Sequence, residues 1–211
     1  MTSIAHLRQE YSKEELSENS VSHDPMQQFG WWFEEALKGE INEPNAFALG
    51  TATPDGSPSV RIVLLKGFDE QGFVFYSNYE SRKGQELKLN PRAAMTFFWH
   101  ALERQVRVEG IVEMVSTVES DAYYVSRPAG SRLGAWASPQ SSNITKEDLE
   151  KRLKQITEQY GENIPPRPPF WGGYRIKPHK IEFWQGRPSR LHDRIVYTLI
   201  NNKWHLSRIA P

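Results

Sequence analysis

The stretch AFALGTATPDGSPSVRIVLLKGFDEQGFVFYSN, residues 46–78, carries the clearest structural pattern in the chain. Apolar residues recur at alternate positions in three runs, which is the period of a half-buried β-strand. Pro54-Asp55-Gly56 and Asp69-Glu70-Gln71-Gly72 separate the runs, and both are turn signals. The stretch therefore predicts consecutive antiparallel strands joined by tight turns, with PSVRIVLLKGF as one long strand.

The same alternation returns along the rest of the chain. It occurs in AAMTFFWH (93–100), RQVRVEGIVEMV (104–115), YRIKPHKIEFWQG (174–186), RIVYTLI (194–200) and WHLSRIAP (204–211), with an Asn201-Asn202 turn between the last two. About seven strands are expected, and no Gly-rich strand–helix unit points to a Rossmann fold. The predicted fold class is mainly β with peripheral helices, arranged as a small closed or split antiparallel β-barrel.

Helical spacing is confined to a few segments with recognisable ends. Asp24-Pro25 opens a helix that ends near Gly39, and Ser81 caps a short helix stopped by Asn90-Pro91. Residues 117–126 also read as a helix, and Thr145 caps another that ends at Gly161. The segment RPAGSRLGAWASPQSSN, residues 127–143, is rich in Gly, Ser and Pro, and we expect an ordered loop there.

Length and composition favour one domain. The 211 residues are enough for a real core, and we assign residues 21–211 to one domain and the polar residues 1–20 to a mobile segment. The chain has no cysteine, no apolar run of the roughly 20 residues that a membrane helix needs, and a polar beginning unlike a secretory signal. We therefore expect a cytoplasmic protein with no membrane partner and no thiolate metal site.

The charge is balanced in total but uneven along the chain. The 26 basic and 26 acidic residues argue against a nucleic-acid binder. Residues 1–60 hold three basic and ten acidic residues, whereas residues 171–211 hold eight and two. Residues 61–107 also carry a basic excess. This distribution suits a small polyanion such as a phosphate ester, or internal pairing between the two ends of the chain, and composition alone leaves both open.

Four polar clusters are candidates for chemistry. In the strand RIVLLK, alternation places Arg61 and Lys66 on opposite, otherwise apolar faces, where an internal ion pair or a bound phosphate would supply the counter-charge. Arg82 and Lys83 lie in the first turn of a helix, which attracts anions; a solvated surface pair is the alternative. Tyr123, Arg127 and Ser131, four residues apart, could form a phosphate clamp, and a coincidence of spacing at the surface is the alternative. Pro128 and Gly130 break the helix, so Ser131 is expected in a loop.

The fourth cluster is Arg190-Leu191-His192-Asp193-Arg194. His192 is a candidate acid, base or hydrogen-bond donor, and Arg190 is a candidate for binding an anion or stacking on a ring. A purely structural role of the His-x-Arg pattern is the alternative. No nucleophile elbow supports a serine triad, and no pair of histidines at helical spacing supports a metal site.

Taken together, these segments resemble the pyridoxine/pyridoxamine 5′-phosphate oxidase family of flavin split-barrel proteins. The matching pieces, in order, are AHLRQEY (5–11), RIVLLK (61–66), YSNYESRKG (76–84), ERQVRVEG (103–110), YYVSRPAGSRLGAWASPQSS (123–142), EFWQGRPSRLHDR (182–194) and the ending WHLSRIAP. The six motifs and the ending, all in register, span nearly the whole chain.

The resemblance implies a homodimer of split barrels with FMN at the subunit interface. It implies oxidation of pyridoxamine or pyridoxine 5′-phosphate to pyridoxal 5′-phosphate, with O2 reduced to hydrogen peroxide. The expected FMN contacts are Arg61, Ile62, Val63, Leu64, Leu65, Lys66, Tyr76, Ser77, Arg82, Lys83, Gln105, Gln140, Ser141, Trp184 and Arg194.

The resemblance also implies the substrate side of the site. The substrate phosphate is expected to meet Lys66, Tyr123, Arg127 and Ser131. Arg190 would lie over the pyridine ring and His192 near its polar edge, and Arg8 and Tyr11 would fold over the site as a lid.

Three other functions remain open at this point: a split-barrel flavin enzyme acting on another substrate, a non-catalytic protein that stores pyridoxal 5′-phosphate or FMN, and an interaction module whose charges pair internally.

Overall fold

The computed structural model describes residues 4, 6–7, 10–39, 41–161, 163 and 165–211, and Arg8 lies outside them. Within these ranges there are nine strands and five α-helices, so the mainly β class with peripheral helices is confirmed. The strands are β1 Ala46–Ala52, β2 Pro58–Leu64, β3 Gly67–Asp69, β4 Gly72–Asn78, β5 Arg92–Trp99, β6 Arg104–Met114, β7 Trp171–Gln185, β8 Asp193–Ile200 and β9 Lys203–Arg208. The helices are α1 Pro25–Lys38, α2 Arg82–Leu89, α3 Thr117–Ser126, α4 Ala129–Ala137 and α5 Lys146–Tyr160.

The strands form a sheet with the order β2-β1-β5-β6-β7-β4-β3, and β8 pairs with β7 and β9. The pairings of β3 with β4, β4 with β7, β7 with β8 and β8 with β9 are antiparallel. The hairpin between β8 and β9 turns at Asn201 and Asn202, whose φ angles are 50° and 60°. Two consecutive residues with positive φ make the tight turn that suits the twist of a hairpin, as the Asn-Asn signal predicts.

The predicted long strand PSVRIVLLKGF is wrong in one respect, because it is two strands. β2 ends at Leu64, and β3 begins at Gly67. The two strands lie at opposite ends of the sheet order, so the backbone changes its hydrogen-bond partner between them. The Lys66 N–H donates to the Val74 carbonyl at 2.8 Å. Lys66 is therefore outside β2, and its orientation cannot be derived from the alternation of that strand.

The expected loop at residues 127–143 contains a helix. α3 ends at Ser126, and Arg127 is extended, with φ −72° and ψ 151°, so the predicted break is correct. Pro128 then caps α4, and the Ser131 N–H donates to the Pro128 carbonyl at 2.9 Å. Ser131 lies in the first turn of α4 rather than in a loop. Proline at a helix start costs no hydrogen bond, and this explains why a Pro/Gly-rich segment is helical.

The predicted helix ends are confirmed at the other helices. The Asp24 side chain accepts a hydrogen bond from the Met26 N–H at 2.8 Å at the start of α1. Ser81 and Thr145 cap α2 and α5, and Asn90 follows the last residue of α2. Each cap satisfies an N–H group that the helix itself leaves without a partner.

The described chain divides into two compact units. The first consists of the described residues of Met1–Leu49, Ala94–Gly110 and Pro178–Pro211, and the second of those in Gly50–Ala93 and Ile111–Lys177. Aromatic rings fill the core of the first unit. The Phe29 ring lies 5.2 Å from that of Phe97, and Trp32 meets Phe183 edge to face at 5.2 Å.

The core of the second unit is also aromatic. The ring of Phe75 on β4 stacks on that of Tyr174 on β7 at 5.3 Å. Gly172 and Gly173 leave room for two tyrosine side chains, because a Cβ at these positions would lie 2.0 Å from the Tyr79 hydroxyl and 2.8 Å from Tyr76 Cε1. The glycines thus fix how β7 packs beneath these tyrosines.

Candidate functional site

A cavity of about 530 Å³ in the second unit contains most of the predicted phosphate-binding residues. We call it the clamp cavity. Its walls come from β2, β4, α2, α3, α4, the start of β7 and the segments that join them. The lining residues are Ile62, Val63, Leu64, Lys66, Tyr76, Ser77, Asn78, Lys83, Tyr123, Ser126, Arg127, Pro128, Ser131, Gln140 and Trp171.

Arg127 is the most distinctive side chain of the clamp cavity. Its guanidinium lies 4.5 Å from the centre of the Trp171 ring. Nη1 is buried and has no hydrogen-bond partner, and no carboxylate among the described residues pairs with the guanidinium. Burial lowers the pKa of Arg127 from its usual value. Arg127 as a whole is half-buried, but a buried N–H group without an acceptor is costly, and a bound anion would remove that cost.

Three further predicted residues line the same cavity as Arg127. Tyr123, on α3, stacks on Tyr76 with ring centres 3.8 Å apart. Burial raises the pKa of Tyr123, so its phenol stays protonated and able to donate a hydrogen bond. Ser131 lies in the first turn of α4, and the exposed Lys66 follows β2. The fold therefore brings together all four residues expected at the substrate phosphate.

Lys83 is a second cation of the clamp cavity, and it is buried. It is 8% exposed, and Nζ donates to Ser77 Oγ at 2.9 Å, Ser81 Oγ at 3.1 Å and Gln140 Oε1 at 3.1 Å. All three acceptors are neutral, and no carboxylate in the described chain forms an ion pair with it. Burial and the nearby Arg61 lower the pKa of Lys83 to about 8.

The start of α2 is rigid enough to hold this lysine in place. Ser81 Oγ accepts from the Gly84 N–H at 3.3 Å and donates to the Asn78 carbonyl at 2.7 Å. A Cβ at position 84 would lie 2.1 Å from the Tyr79 carbonyl oxygen, so α2 packs directly on that backbone. Only glycine permits so close an approach.

Arg61 and Arg82, in contrast, already have a counter-charge. The Glu86 carboxylate lies 3.3 Å from Arg61 Nη2 and 2.9 Å from Arg82 Nε. Burial acts to raise the pKa of Glu86, but hydrogen bonds from Ser59, Thr51 and Arg82 outweigh it and lower the pKa to about 2. The internal ion pair that the sequence left open for Arg61 is therefore present.

A cavity of about 400 Å³ adjoins the clamp cavity, and we call it the cradle cavity. Both arginines line it, with Ser59, Val60 and Ser141. Ile62, Lys83 and Gln140 line both cavities. Two groups of cations thus lie in adjoining cavities, one around Lys83 and one around Arg127.

The first unit has a cavity of its own, of about 610 Å³, which we call the loop cavity. It is lined by Leu7, Glu10, Tyr11, Arg187, Ser189, Arg190 and His192. The His192 ring lies 4.6 Å from that of Trp184 and 6.0 Å from that of Tyr11. Three residues predicted around the substrate ring and one predicted at the flavin therefore cluster in this unit.

The protonation of His192 follows from its contacts. The Arg187 N–H donates to His192 Nδ1 at 3.1 Å, so the neutral ring carries its proton on Nε2. Burial and the charge of Arg190 lower the pKa of His192 below its usual value, although Asp193 opposes this. At neutral pH the ring is therefore an uncharged Nε2–H donor.

The loop that carries Arg190 has a strained backbone. Ser189 and Arg190 have φ angles of 56° and 61°, in the left-handed region that residues with a side chain rarely adopt. Arg190 is exposed. Such conformations concentrate at functional sites, where they aim a side chain that a relaxed backbone would direct elsewhere.

Other predicted residues are ion-paired, buried to different degrees, or exposed. Arg194 binds the buried Glu182 through Nε at 2.8 Å and Nη2 at 3.0 Å, so its charge is balanced within the chain. Gln105 is half-buried on β6, and Leu65 is in the core. Ser141 is exposed with a φ of 72°.

Two side chains of the site were not predicted. Trp171 lies beneath Arg127, and the pair of glycines that follows it was the signal of a tightly packed strand. Glu86 neutralises Arg61 and Arg82, and its spacing of four residues from Arg82 on a helix was the signal. The described residues contain no cluster of three His, Cys, Asp or Glu side chains suited to a metal ion. Across those same residues, the helices are all too short or too polar to span a bilayer.

Comparisons with known proteins agree with this geometry. Residues 33–152 match the family described as pyridoxamine 5′-phosphate oxidase, and residues 171–211 match the pyridoxine 5′-phosphate oxidase C-terminal dimerisation region. The chain is 58% identical over 213 residues to a protein of Cupriavidus metallidurans and 56% identical over 210 residues to one of Bordetella pertussis, both named pyridoxine/pyridoxamine 5′-phosphate oxidase. These matches cover 100% and 99% of this chain and 100% of each relative.

Solved structures show the same fold. PhzG from Burkholderia lata, solved with tetrahydrophenazine-1-carboxylic acid, has a TM-score of 0.89 at 29% identity, over 95% of this chain and 100% of that one. A pyridoxamine 5′-phosphate oxidase-related, FMN binding protein from Nostoc punctiforme has a TM-score of 0.72 at 17% identity, over 90% and 100%. The fold is thus the split barrel that the sequence predicts.

Proposed function

Because the chain belongs to the pyridoxine/pyridoxamine 5′-phosphate oxidase family, we propose that it is an FMN-dependent oxidase. Its substrates would be pyridoxamine and pyridoxine 5′-phosphate, and its products pyridoxal 5′-phosphate and hydrogen peroxide, with O2 as the oxidant. We propose a homodimer as the active form, consistent with the match to a dimerisation region at residues 171–211. A cytoplasmic location stays a prediction from the sequence.

The observation that carries this proposal is a pair of cations without counter-charges, the buried Lys83 and the half-buried Arg127. Lys83 contacts only neutral partners, and Arg127 has a buried nitrogen without any partner. The reaction needs two phosphate esters in one site, one on FMN and one on the substrate. Each ester carries up to about two negative charges, and the cations of the two adjoining cavities, with Lys83 lining both, meet that need.

The residues present fit the phosphate end of FMN. The start of α2 offers backbone N–H groups and a favourable helix dipole, and Lys83 adds a desolvated ammonium. Arg82 is exposed and bound to Glu86 through Nε, which leaves its terminal nitrogens available to an anion in the cradle cavity. Exposed Val60 and Ile62 on β2 offer apolar surface beside the cavity.

The clamp around Arg127 would hold the substrate phosphate. Arg127 offers a planar guanidinium, Tyr123 a neutral phenol and Ser131 a hydroxyl, and Lys66 adds a mobile positive charge. Trp171 fixes the plane of the guanidinium from below. A substrate without a phosphate would leave the buried Nη1 of Arg127 without a partner, so this pocket selects phosphorylated substrates.

Arg190 and His192 would act on the pyridine ring. Both belong to the region that matches the dimerisation part of the family. We propose that they complete the site at the dimer interface, with the Arg190 guanidinium over the ring and the neutral His192 Nε2–H donating to its polar edge. Neither is a strong base at neutral pH, so their contribution is orientation and charge rather than proton abstraction.

When bound, FMN would accept the hydride that leaves C4′ of the substrate and pass two electrons to O2. The chain's own task is to hold the two phosphates, which sets the position of each ring. Tyr11, in contact with His192 and Trp184, would cover the substrate and exclude water.

The test is aerobic turnover by FMN-loaded protein. Pyridoxine 5′-phosphate should yield equal amounts of pyridoxal 5′-phosphate and peroxide, whereas pyridoxine without phosphate should be a far poorer substrate. Protein that binds FMN but leaves both substrates unchanged would contradict the proposal and favour a binding protein. Equal activity on both would contradict the assignment of the Arg127 clamp.

A further inference from the structure

The segment from Ser12 to Ser22 contains no helix or strand, yet side chains of the first unit bind its backbone. The Leu16 N–H donates to Asp193 Oδ2 at 3.1 Å, and Arg208 Nη2 donates to the Leu16 carbonyl at 2.8 Å. Leu16 itself is 5% exposed. Side-chain partners thus replace the backbone ladder that a strand would have, and they hold this segment in one place.

Glu103 forms the first of these attachments along the chain. Its Oε2 accepts from the Ser12 N–H at 2.9 Å and the Lys13 N–H at 3.0 Å. Glu103 is 9% exposed and has a φ of 54°, a left-handed conformation at the end of a short 3₁₀ turn. The strained backbone of Glu103 directs its buried carboxylate at the Ser12 and Lys13 N–H groups, which have no partner in a helix or strand.

Glu103 also binds the backbone against which Tyr11 packs. The Glu103 carbonyl accepts from the Gly186 N–H at 2.8 Å. A Cβ at position 186 would lie 2.7 Å from both Cβ and Cγ of Tyr11, so the tyrosine packs directly on that backbone. One residue therefore binds both the chain that follows Tyr11 and the surface against which Tyr11 packs.

We propose that Glu103 is a positioning residue that fixes Tyr11 beside His192. The inference rests on the proposed function, in which Tyr11 covers the substrate. Hydrogen bonds hold the backbone from Ser12 onward in place, and this fixes where the Tyr11 side chain lies. Losing the Glu103 carboxylate should release Tyr11 and weaken substrate binding, and it should leave FMN binding in the second unit unchanged.

Hydrogen exchange of the FMN-loaded protein tests the attachment itself. In Glu103→Ala, exchange of the Ser12 and Lys13 amides should accelerate about ten- to a hundredfold, as expected for loss of hydrogen bonds to a charged group. Glu103→Gln keeps an acceptor oxygen and should restore most of the protection. Glu18→Ala is the matched control, because it removes an exposed ion pair of the same segment with Arg208. Exchange unchanged by Glu103→Ala would overturn the proposal.

Turnover tests whether the attachment acts through Tyr11. Glu103→Ala should raise KM for pyridoxine 5′-phosphate by about tenfold while the Kd of FMN stays the same. In a Tyr11→Ala background, Glu103→Ala should add little, since the side chain that it positions is gone. A full additional loss in that background, or faster exchange with no change in KM, would overturn the positioning role.

The inference can still be tested if the proposed function fails or if the variant does not fold. If wild-type protein is not an oxidase, the proposed function fails, and pyridoxal 5′-phosphate affinity replaces KM as the readout of Glu103→Ala. If Glu103→Ala does not fold, Ser12→Pro removes one of the two N–H donors and leaves Glu103 intact. Ser12→Pro should then raise KM, and an unchanged KM would count against the proposal.

Discussion

Replacing Lys83 with methionine tests whether its ammonium binds the phosphate of FMN. Methionine keeps the length of the buried stem and removes the charge. Lys83 is 8% exposed and its partners are three neutral groups, so no carboxylate is left unpaired by the change. The variant should therefore fold, and its defect should concern the ligand.

The magnitude follows from the contact that is lost. A hydrogen bond to a charged group contributes about 1.5–3 kcal/mol, which corresponds to a ten- to hundredfold weaker Kd for FMN. Riboflavin has the same ring and no phosphate, so its affinity should change little. Lys88→Met is the matched control, since Lys88 is an exposed lysine of the same helix.

The dependence on pH gives a second readout of the same group. The pKa of Lys83 is lowered to about 8, so the free protein loses this charge above that pH. Bound phosphate favours the ammonium and raises its pKa. FMN affinity should therefore fall as the pH rises through about 8, by at most tenfold per unit, and Lys83→Met should lack this fall.

Flavin fluorescence titrations at several pH values measure both effects. Equal losses for FMN and riboflavin in Lys83→Met would refute the reasoning, because the defect would then lie in the ring site or the fold. A fall in FMN affinity of the same size in Lys88→Met would refute it as well.

Three further outcomes are expected. Arg127→Met should raise KM for pyridoxine 5′-phosphate about ten- to a hundredfold with FMN affinity unchanged. The preference for this substrate over unphosphorylated pyridoxine should shrink by the same factor. Steady-state kinetics on both substrates measures this. Arg190→Met should lower turnover far more than FMN affinity, since the proposed site places Arg190 over the substrate ring. Gly84→Ala should lower the free energy of unfolding in urea by about 3 kcal/mol or more, because its Cβ would lie 2.1 Å from the Tyr79 carbonyl oxygen. Gly130→Ala, where no atom lies within 4 Å of the added Cβ, should cost far less.

Most of the strands were predictable from the sequence because they bury only one of their two faces. Alternation is visible wherever one face is buried, as in β1 and β5. The break at Lys66 was not visible, since apolar alternation continues through it while the backbone changes partner. A loop was predicted in place of α4 because the segment is rich in Gly, Ser and Pro. Pro128, however, lies at the N-cap of the helix, and the helix interior contains no proline.

The site was predictable where residues lie close in sequence, and less so where the fold brings them together. Tyr123, Arg127 and Ser131 could be proposed as a clamp from their spacing. The absence of a counter-charge at Lys83 could not be predicted, because it depends on the fold. Glu86 binds Arg61 and Arg82, and Lys83 is left with neutral partners. The conformation of Arg190 was likewise hidden, since nothing in the sequence Pro188-Ser189-Arg190 marks two consecutive left-handed residues.

The uneven charge of the sequence has a structural counterpart in the first unit. Acidic residues near the beginning pair with basic residues near the end: Glu15 binds Arg187, and Glu18 binds Arg208 at 3.0 Å. Internal pairing, one of the two explanations left open by composition, therefore accounts for part of the basic excess. Arg127 and Lys83 are two cations that have no acidic partner among the described residues, and we propose that they bind phosphates.

Anaerobic mixing of the FMN-loaded protein with pyridoxine 5′-phosphate tests the central claim most directly. The flavin should lose its visible absorbance in one turnover, with one pyridoxal 5′-phosphate formed per flavin, and O2 should restore the absorbance with release of peroxide. Flavin that stays oxidised in the presence of saturating phosphorylated substrate would contradict the account.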